Sequence, residues 1–308
     1  MRYRYGEFIP GSIRVSKHLF HLRDIGHAGI WRLLRNAHSQ ATPETAHEGL
    51  KGASVPILFA EHAPRDRLAM TLSIRGMGGN EVYFGPGEWP GTTCAHAPQG
   101  FVFGQVGPLC VVNGLSLNAL DVLGAPSGCS LVNSGGPDAH PCRLLADVAL
   151  IHERQPDLSE TRIAWVGGAN GLAHSLIEAA IYIPFELFMA LPEWGEPDRE
   201  LLALAFAAGA KIFLTRDIHM AMDGAHYVYA GSGPRHADDG TLLTGMLIDG
   251  TVMKMARPKT QLLLGQETGC RVQDEVLAAH AALERERFAM RLQMQRLIWD
   301  WLLHENDA

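Results

Sequence analysis

Three segments of the 308-residue chain combine residue types suited to holding or activating a small polar molecule. In Asp138-Ala139-His140-Pro141-Cys142-Arg143, a histidine stands immediately before a proline. That proline fits the first position of a helix, where its missing N–H does no harm. An imidazole so placed can meet a ligand carbonyl or anion together with the positive end of the helix; a structural hydrogen bond is the plainer role of a lone histidine. Phe59–Arg67 (FAEHAPRDR) leaves an apolar run and enters a helix carrying Arg65, Asp66 and Arg67. Two guanidinium groups there can clamp a carboxylate or phosphate in bidentate fashion, and an Arg–Asp surface cluster is the alternative. Trp165–Ser175 (WVGGANGLAHS) is a strand–turn–helix piece whose glycines permit tight backbone geometry and whose helix start offers N–H groups to an anion. It lacks the G-x-G-x-x-G order, and no acidic residue ends the following strand, as a nicotinamide site requires. Glycines serving a tight turn are the competing reading.

Other chemistries find no support. His18, His21, His27, His219, His226 and His236 form no HExxH or similar ligand spacing, and neither GxSxG nor a P-loop occurs, so neither a metal nor a cofactor is expected. Lys+Arg 26 against Asp+Glu 33 gives a net charge of −7, which argues against nucleic-acid binding. No apolar run approaches the roughly 20 residues of a membrane span, and the N-terminus lacks a signal-peptide core. Five scattered cysteines without a CxxC pair suit reduced thiols and a cytoplasmic setting.

The elements that must carry these segments follow from periodicity. Asp24 is expected to cap a helix to about Asn36, and Ala53–Ala60 to form a buried strand. A helix over Arg67–Arg75, a strand over Glu81–Phe84 and a loop over Gly85–Gly100 follow. Strands are expected at Pro108–Val112 and Cys129–Asn133, joined by a helical Leu117–Leu123, before a buried helix over His140–His152. The second half alternates: strands at Arg162–Val166, Phe185–Ala190, Lys211–Thr215, Tyr227–Ala230 and Gln261–Leu264, with helices at Gly171–Ile181, Asp198–Ala208, His219–Met222 and Gly245–Ala256. A long amphipathic helix over Asp274–Leu303, broken near Ala282, ends the pattern. Strands separated by helices of this length predict an α/β protein with two Rossmann-like domains, each a parallel sheet flanked by helices. The polar stretch ERQPDLSETR sets the junction, giving domains 1–152 and 153–282, with 283–308 returning to the first.

Taken together, the segments resemble the aspartate/ornithine carbamoyltransferase superfamily, ornithine branch, over essentially the whole chain. Leu22-Arg23-Asp24 matches its LxD; Phe59–Arg67 followed by Gly78-Gly79 stands where F-x-K-x-S-T-R-T-R should. His140–Asp147 (HPCRLLAD) matches H-P-x-Q-x-L-A-D, and Val166–Ser175 matches V-G-D-x-N-N-V-A-x-S. Glu196-Pro197-Asp198 is similar to Y-x-P-D, and Val272–Val276 to V-T-D-E-V. The resemblance implies a homotrimer in which the loop carrying Trp89 reaches a neighbouring subunit's site, packing on its own domain being the alternative. It also implies a small-molecule site with His140, Arg65 and Arg143 as catalytic residues and Arg67, Asp66, Asn170, Ser175, Glu267 and Trp89 as binding residues.

The departures fall on the donor cradle. In the family, S-T-R-T-R holds the phosphate of carbamoyl phosphate; here its hydroxyl residues become Ala63, Pro64 and Asp66. Ala63 and Pro64 remove two hydroxyls, Pro64 also removes a backbone donor, and Asp66 replaces the third hydroxyl with a negative charge. A like-charge pairing at about 4 Å costs roughly 4 kcal/mol at an effective dielectric of about 20, and each lost charge-assisted hydrogen bond about 1.5–3 kcal/mol. The Gln of H-P-x-Q is Arg143, the H-C-L-P loop reads Gly265-Gln266-Glu267-Thr268-Gly269, and no D-x-x-x-S-M-G follows Tyr229. The expectation is a divergent carbamoyltransferase-like enzyme for a small amino-acid-like or anionic substrate, with His140 polarising a carbonyl. The alternative is a non-catalytic paralogue that binds a metabolite or a partner enzyme.

Overall fold

Nine strands and ten α-helices alternate along a computed structural model that describes residues 17–39, 48–88, 99–124, 127–231, 246–265 and 272–304. The first half runs α1 (Gly26–Ser39), β1 (Ser54–Phe59), α2 (Pro64–Arg75), β2 (Asn80–Phe84), α3 (Gln99–Val106), β3 (Leu109–Asn113), α4 (Leu117–Gly124), β4 (Ser130–Gly135) and α5 (Pro141–Arg154). The second continues with β5 (Arg162–Val166), α6 (Gly171–Tyr182), β6 (Glu186–Ala190), α7 (Arg199–Ala207), β7 (Lys211–Thr215), α8 (Ile218–Met222), β8 (Tyr227–Ala230), α9 (Gly250–Met253), β9 (Gln261–Leu264) and α10 (Asp274–His304). All pairings between these strands are parallel, in the orders β2-β1-β3-β4 and β7-β6-β5-β8-β9. In each sheet the chain leaves the first strand in one direction and returns on its other side. A crevice therefore opens beyond the carboxyl ends of β1 and β3, and of β5 and β8.

β1 is apolar because both its faces are covered, and it tolerates Pro56 for a positional reason. Its ladder with β3 begins only at Ile57, so the missing N–H removes no bond on that side. Between the sheets lies α5, buried along nearly its whole length from Pro141 to Ile151. It packs on α10, α1 and α6, and one continuous apolar core runs from Leu19 through Leu145 and Val148 to Ile177 and Ile298.

Several elements depart from the sequence expectation. Asp24 does not cap α1; its carboxylate accepts from the N–H groups of Phe20 and His21, closing a 3-10 turn ahead of the helix. α2 starts at Pro64 rather than Arg67, which places Arg65, Asp66 and Arg67 inside its first turn. α3 (QGFVFGQV) was hidden by its glycines, and helix within Gly245–Ala256 is confined to Gly250–Met253. The last helix runs unbroken through Ala282 and packs on α5, α2, α1 and β9. No helix of the described residues is long and apolar enough to cross a membrane.

Candidate active site

The turn from β1 into α2 brings Asp66 inward. Ala63, the N-cap, supplies no side-chain hydrogen bond, and Pro64 has no N–H to give. Asp66 is only 9% exposed and forms an ion pair with Arg291 of α10, itself 7% exposed. Burial pushes the Asp66 carboxyl up, but Arg291, His140 and Arg143 outweigh it and hold the group below the usual carboxylate value.

From the other side, His140 stands at the N-cap position of α5 without a side-chain capping bond, and its backbone N–H donates to Ser175 Oγ at 2.8 Å. Its Nε2 lies 3.9 Å from Asp66 Oδ2, while Nδ1 is buried without a hydrogen-bond partner. The ring sits against Gly135, where φ is +147° and a Cβ would come within 2.6 Å of Nε2; only glycine leaves it room. Burial takes the imidazole down to about 3, with Arg291 and Arg143 reinforcing and Asp66 opposing. His140 is therefore neutral at pH 7 and can engage a carbonyl by hydrogen bonding, not as a cation.

A second ionic cluster adjoins this pair. Arg287 grips Asp147 with Nε and Nη2 at 3.0 and 2.7 Å, and Tyr229 donates to the same carboxylate at 3.2 Å. Glu284 accepts from Arg287 at 2.5 Å and lies 3.7 Å from Arg65. The carbonyl of Leu264, at the end of β9, accepts from both Arg143 and Arg287. Burial, with Arg287 alongside, pulls the Arg143 guanidinium below its usual value. Arg65, Leu68, Arg143, Asp147, Arg287 and Arg291 are among the residues lining a cavity of about 370 Å³.

The comparisons with known proteins fit this frame. The family model described as "Aspartate/ornithine carbamoyltransferase, carbamoyl-P binding domain" matches residues 17–153. An ornithine carbamoyltransferase of Nitratidesulfovibrio vulgaris is 37% identical over 302 residues, covering 94% of this chain and 100% of that protein. The chain belongs to the aspartate/ornithine carbamoyltransferase family. A second ornithine carbamoyltransferase, from Oleidesulfovibrio alaskensis, is 34% identical over 94% of this chain and 99% of its own length. The solved ornithine carbamoyltransferase of Pyrococcus furiosus superposes with a TM-score of 0.83 at 20% identity, over 92% of this chain and 96% of that one. That of Thermus thermophilus gives 0.80 at 23%, over 94% and 99%. At these identities the two structures speak for the fold.

Within this family member, the structure gathers His140, Asp66, Arg143 and Arg65 and sends other expected residues elsewhere. Arg67 stacks over the Tyr83 ring at 3.6 Å and is not among the residues that line the cavity. Asn170 caps α6, its side chain accepting from Leu172 and Ala173 N–H at 3.0 and 3.1 Å. Ser175 is 1% exposed and holds the His140 backbone. Glu267 and Trp89 lie outside the described residues.

Arg287 and Arg291 are the cations that sequence reasoning missed, and Gln295 is a third polar residue of the same row. Leu283, Arg287, Arg291, Gln295 and Trp299 recur every four residues and all are buried. Polar residues interrupting an apolar i, i+4 row were the available signal. Among the described residues, no group of three or more His, Cys, Asp or Glu is arranged to hold a metal.

Proposed function

We propose that this chain is a transferase acting on a small amino-acid-like or anionic substrate, and that it does not take up carbamoyl phosphate in the way the S-T-R-T-R cradle implies. The observation that carries this reading is the Asp66 carboxylate, buried at the first turn of α2 and paired with Arg291. A free dianion at that turn meets a fixed negative charge, and Ala63 and Pro64 offer it neither hydroxyls nor a full set of N–H groups. The neutral His140 ring suits polarisation of a carbonyl, with Arg65 and Arg143 holding the anionic end of the substrate. The chain works on this reading as two units, 1–152 with 283–308 and 153–282, forming a trimer in the cytoplasm.

The test is a thermal-shift screen of amino acids and carboxylates, followed by transfer assays with carbamoyl phosphate and each hit. A stabilising hit abolished by R65A and R143A is expected. Efficient carbamoylation of ornithine, the activity for which the relatives are named, would displace the reading.

One observation favours a second reading, that of a non-catalytic paralogue. Arg143, Arg287 and Arg291 each already hold a partner within the chain, as in a pocket that is structurally complete without substrate. Ligand binding without turnover across the same screen distinguishes the two.

A further inference from the structure

We propose that the Asp66 carboxylate is a resident anion: it fills from within the chain the seat in which Arg291 would hold a free oxyanion, and its removal opens that seat to inorganic phosphate. The inference deepens the reading that this turn is closed to carbamoyl phosphate, and it assigns the closure to one side chain.

Four observations place the seat. Asp66 and Arg291 are both nearly inaccessible, so each has surrendered its hydration for the other. The guanidinium is also held from behind, independently of Asp66. With its amide nitrogen turned toward Ala69 O (2.9 Å) and Ser73 Oγ (3.2 Å), Gln295 presents its oxygen to Arg291 Nε at 3.3 Å. Trp299 Nε1 donates to the same Ser73 Oγ at 3.2 Å, tying the relay to the core between α2 and α10. Arg291 also borders the 370 Å³ cavity beside Arg65, Arg143 and Arg287, so an ion arriving there reaches it. Opposite, the His140 ring closes the seat, its Nε2 3.9 Å from Asp66 Oδ2.

Charge decides what the opened seat takes. With Asp66 present, Arg291 is neutralised by it and Arg287 by Asp147. Without it, the Arg291 charge is uncompensated, and Arg143 stands close by, donating to the uncharged Leu264 carbonyl. One buried and one half-buried guanidinium and a neutral imidazole suit a compact, multiply charged oxyanion that accepts hydrogen bonds on several sides.

The experiment compares wild type, D66A and D66N in inorganic phosphate and in chloride of equal ionic strength, by thermal unfolding and calorimetry. Wild type is expected to respond equally to both salts. D66A is expected to unfold at lower temperature, to recover stability saturably with phosphate, and to bind it about tenfold or more tightly than wild type does. That gain should vanish in D66A/R291M. A folded D66A or D66N with no gain in phosphate affinity overturns the proposal, as does a gain that survives R291M. If neither single variant folds in chloride, refolding in phosphate decides between the same outcomes: recovery supports the resident anion and continued failure overturns it. Uptake of carbamoyl phosphate by wild type bears only on the function proposed above, so the two can fail separately.

Discussion

One helix follows the first strand of each sheet, and the two opening turns are treated in opposite ways. α6 follows β5 and is capped by its own Asn170, whose side chain consumes the Leu172 and Ala173 N–H groups. α2 follows β1 and has no side-chain cap; its first turn holds a proline and a carboxylate that reaches across to α10. Both turns stand where a parallel sheet of this kind receives ligands. In one the chain has occupied the backbone donors, and in the other it has neutralised the cation. The same fold position can thus be closed by a cap or by a charge, and the second closure stands beside the cavity that Arg65, Arg143, Arg287 and Arg291 help to line.

The contrast is sharpest in stability. R291M strands the Asp66 carboxylate in the interior, and a loss of about 3–5 kcal/mol is expected in urea unfolding. The D66N/R291M double variant should recover much of that loss. Near-additive single effects would break the claim that the two charges exist for each other.

Acid should act on the α2 side next. The folded His140 pKa lies at about 3, below the ordinary 6.5, so the unfolded chain takes up the proton first. Stability is complete above about pH 6.5 and falls as pH drops, by about 2 kcal/mol at pH 5 from this residue alone. His18, His152, His174, His226 and His280 are also lowered and pull in the same direction. The difference between wild type and H140Q, unfolded at pH 7.5 and at pH 5, isolates the His140 share.

On the α6 side, N170A removes a cap and is expected to cost about 1 kcal/mol without altering the response of D66A to phosphate. The smallest effect belongs to R67M. Loss of the stack on Tyr83 should cost about 0.5–1 kcal/mol and leave every ligand response unchanged, since Arg67 does not line the cavity. A ligand response that depends on Arg67 would reopen the expectation that it binds substrate.

Much of this was legible before the structure. Both parallel sheets followed from the alternation of apolar runs and helices, and His140 beside Pro141 marked the start of the buried helix that carries Arg143 and Asp147 to the cavity. α3 was illegible because its glycines carry no helical preference, and the unbroken α10 because its polar middle reads as a solvated face. Arg287 and Arg291 escaped for the same reason. Their partners, Asp147 and Asp66, lie 140 and 225 positions away, and no local pattern announces a pairing across that distance. Asn170 and Ser175 were seen in the right turn, yet the structure gives the first to a cap and the second to the His140 backbone.

The most direct test is a calorimetric titration of the purified wild-type protein with carbamoyl phosphate. With Asp66 seated on Arg291, no saturable heat is expected up to millimolar concentrations. A micromolar isotherm would contradict the account and return the chain to the activity for which its relatives are named.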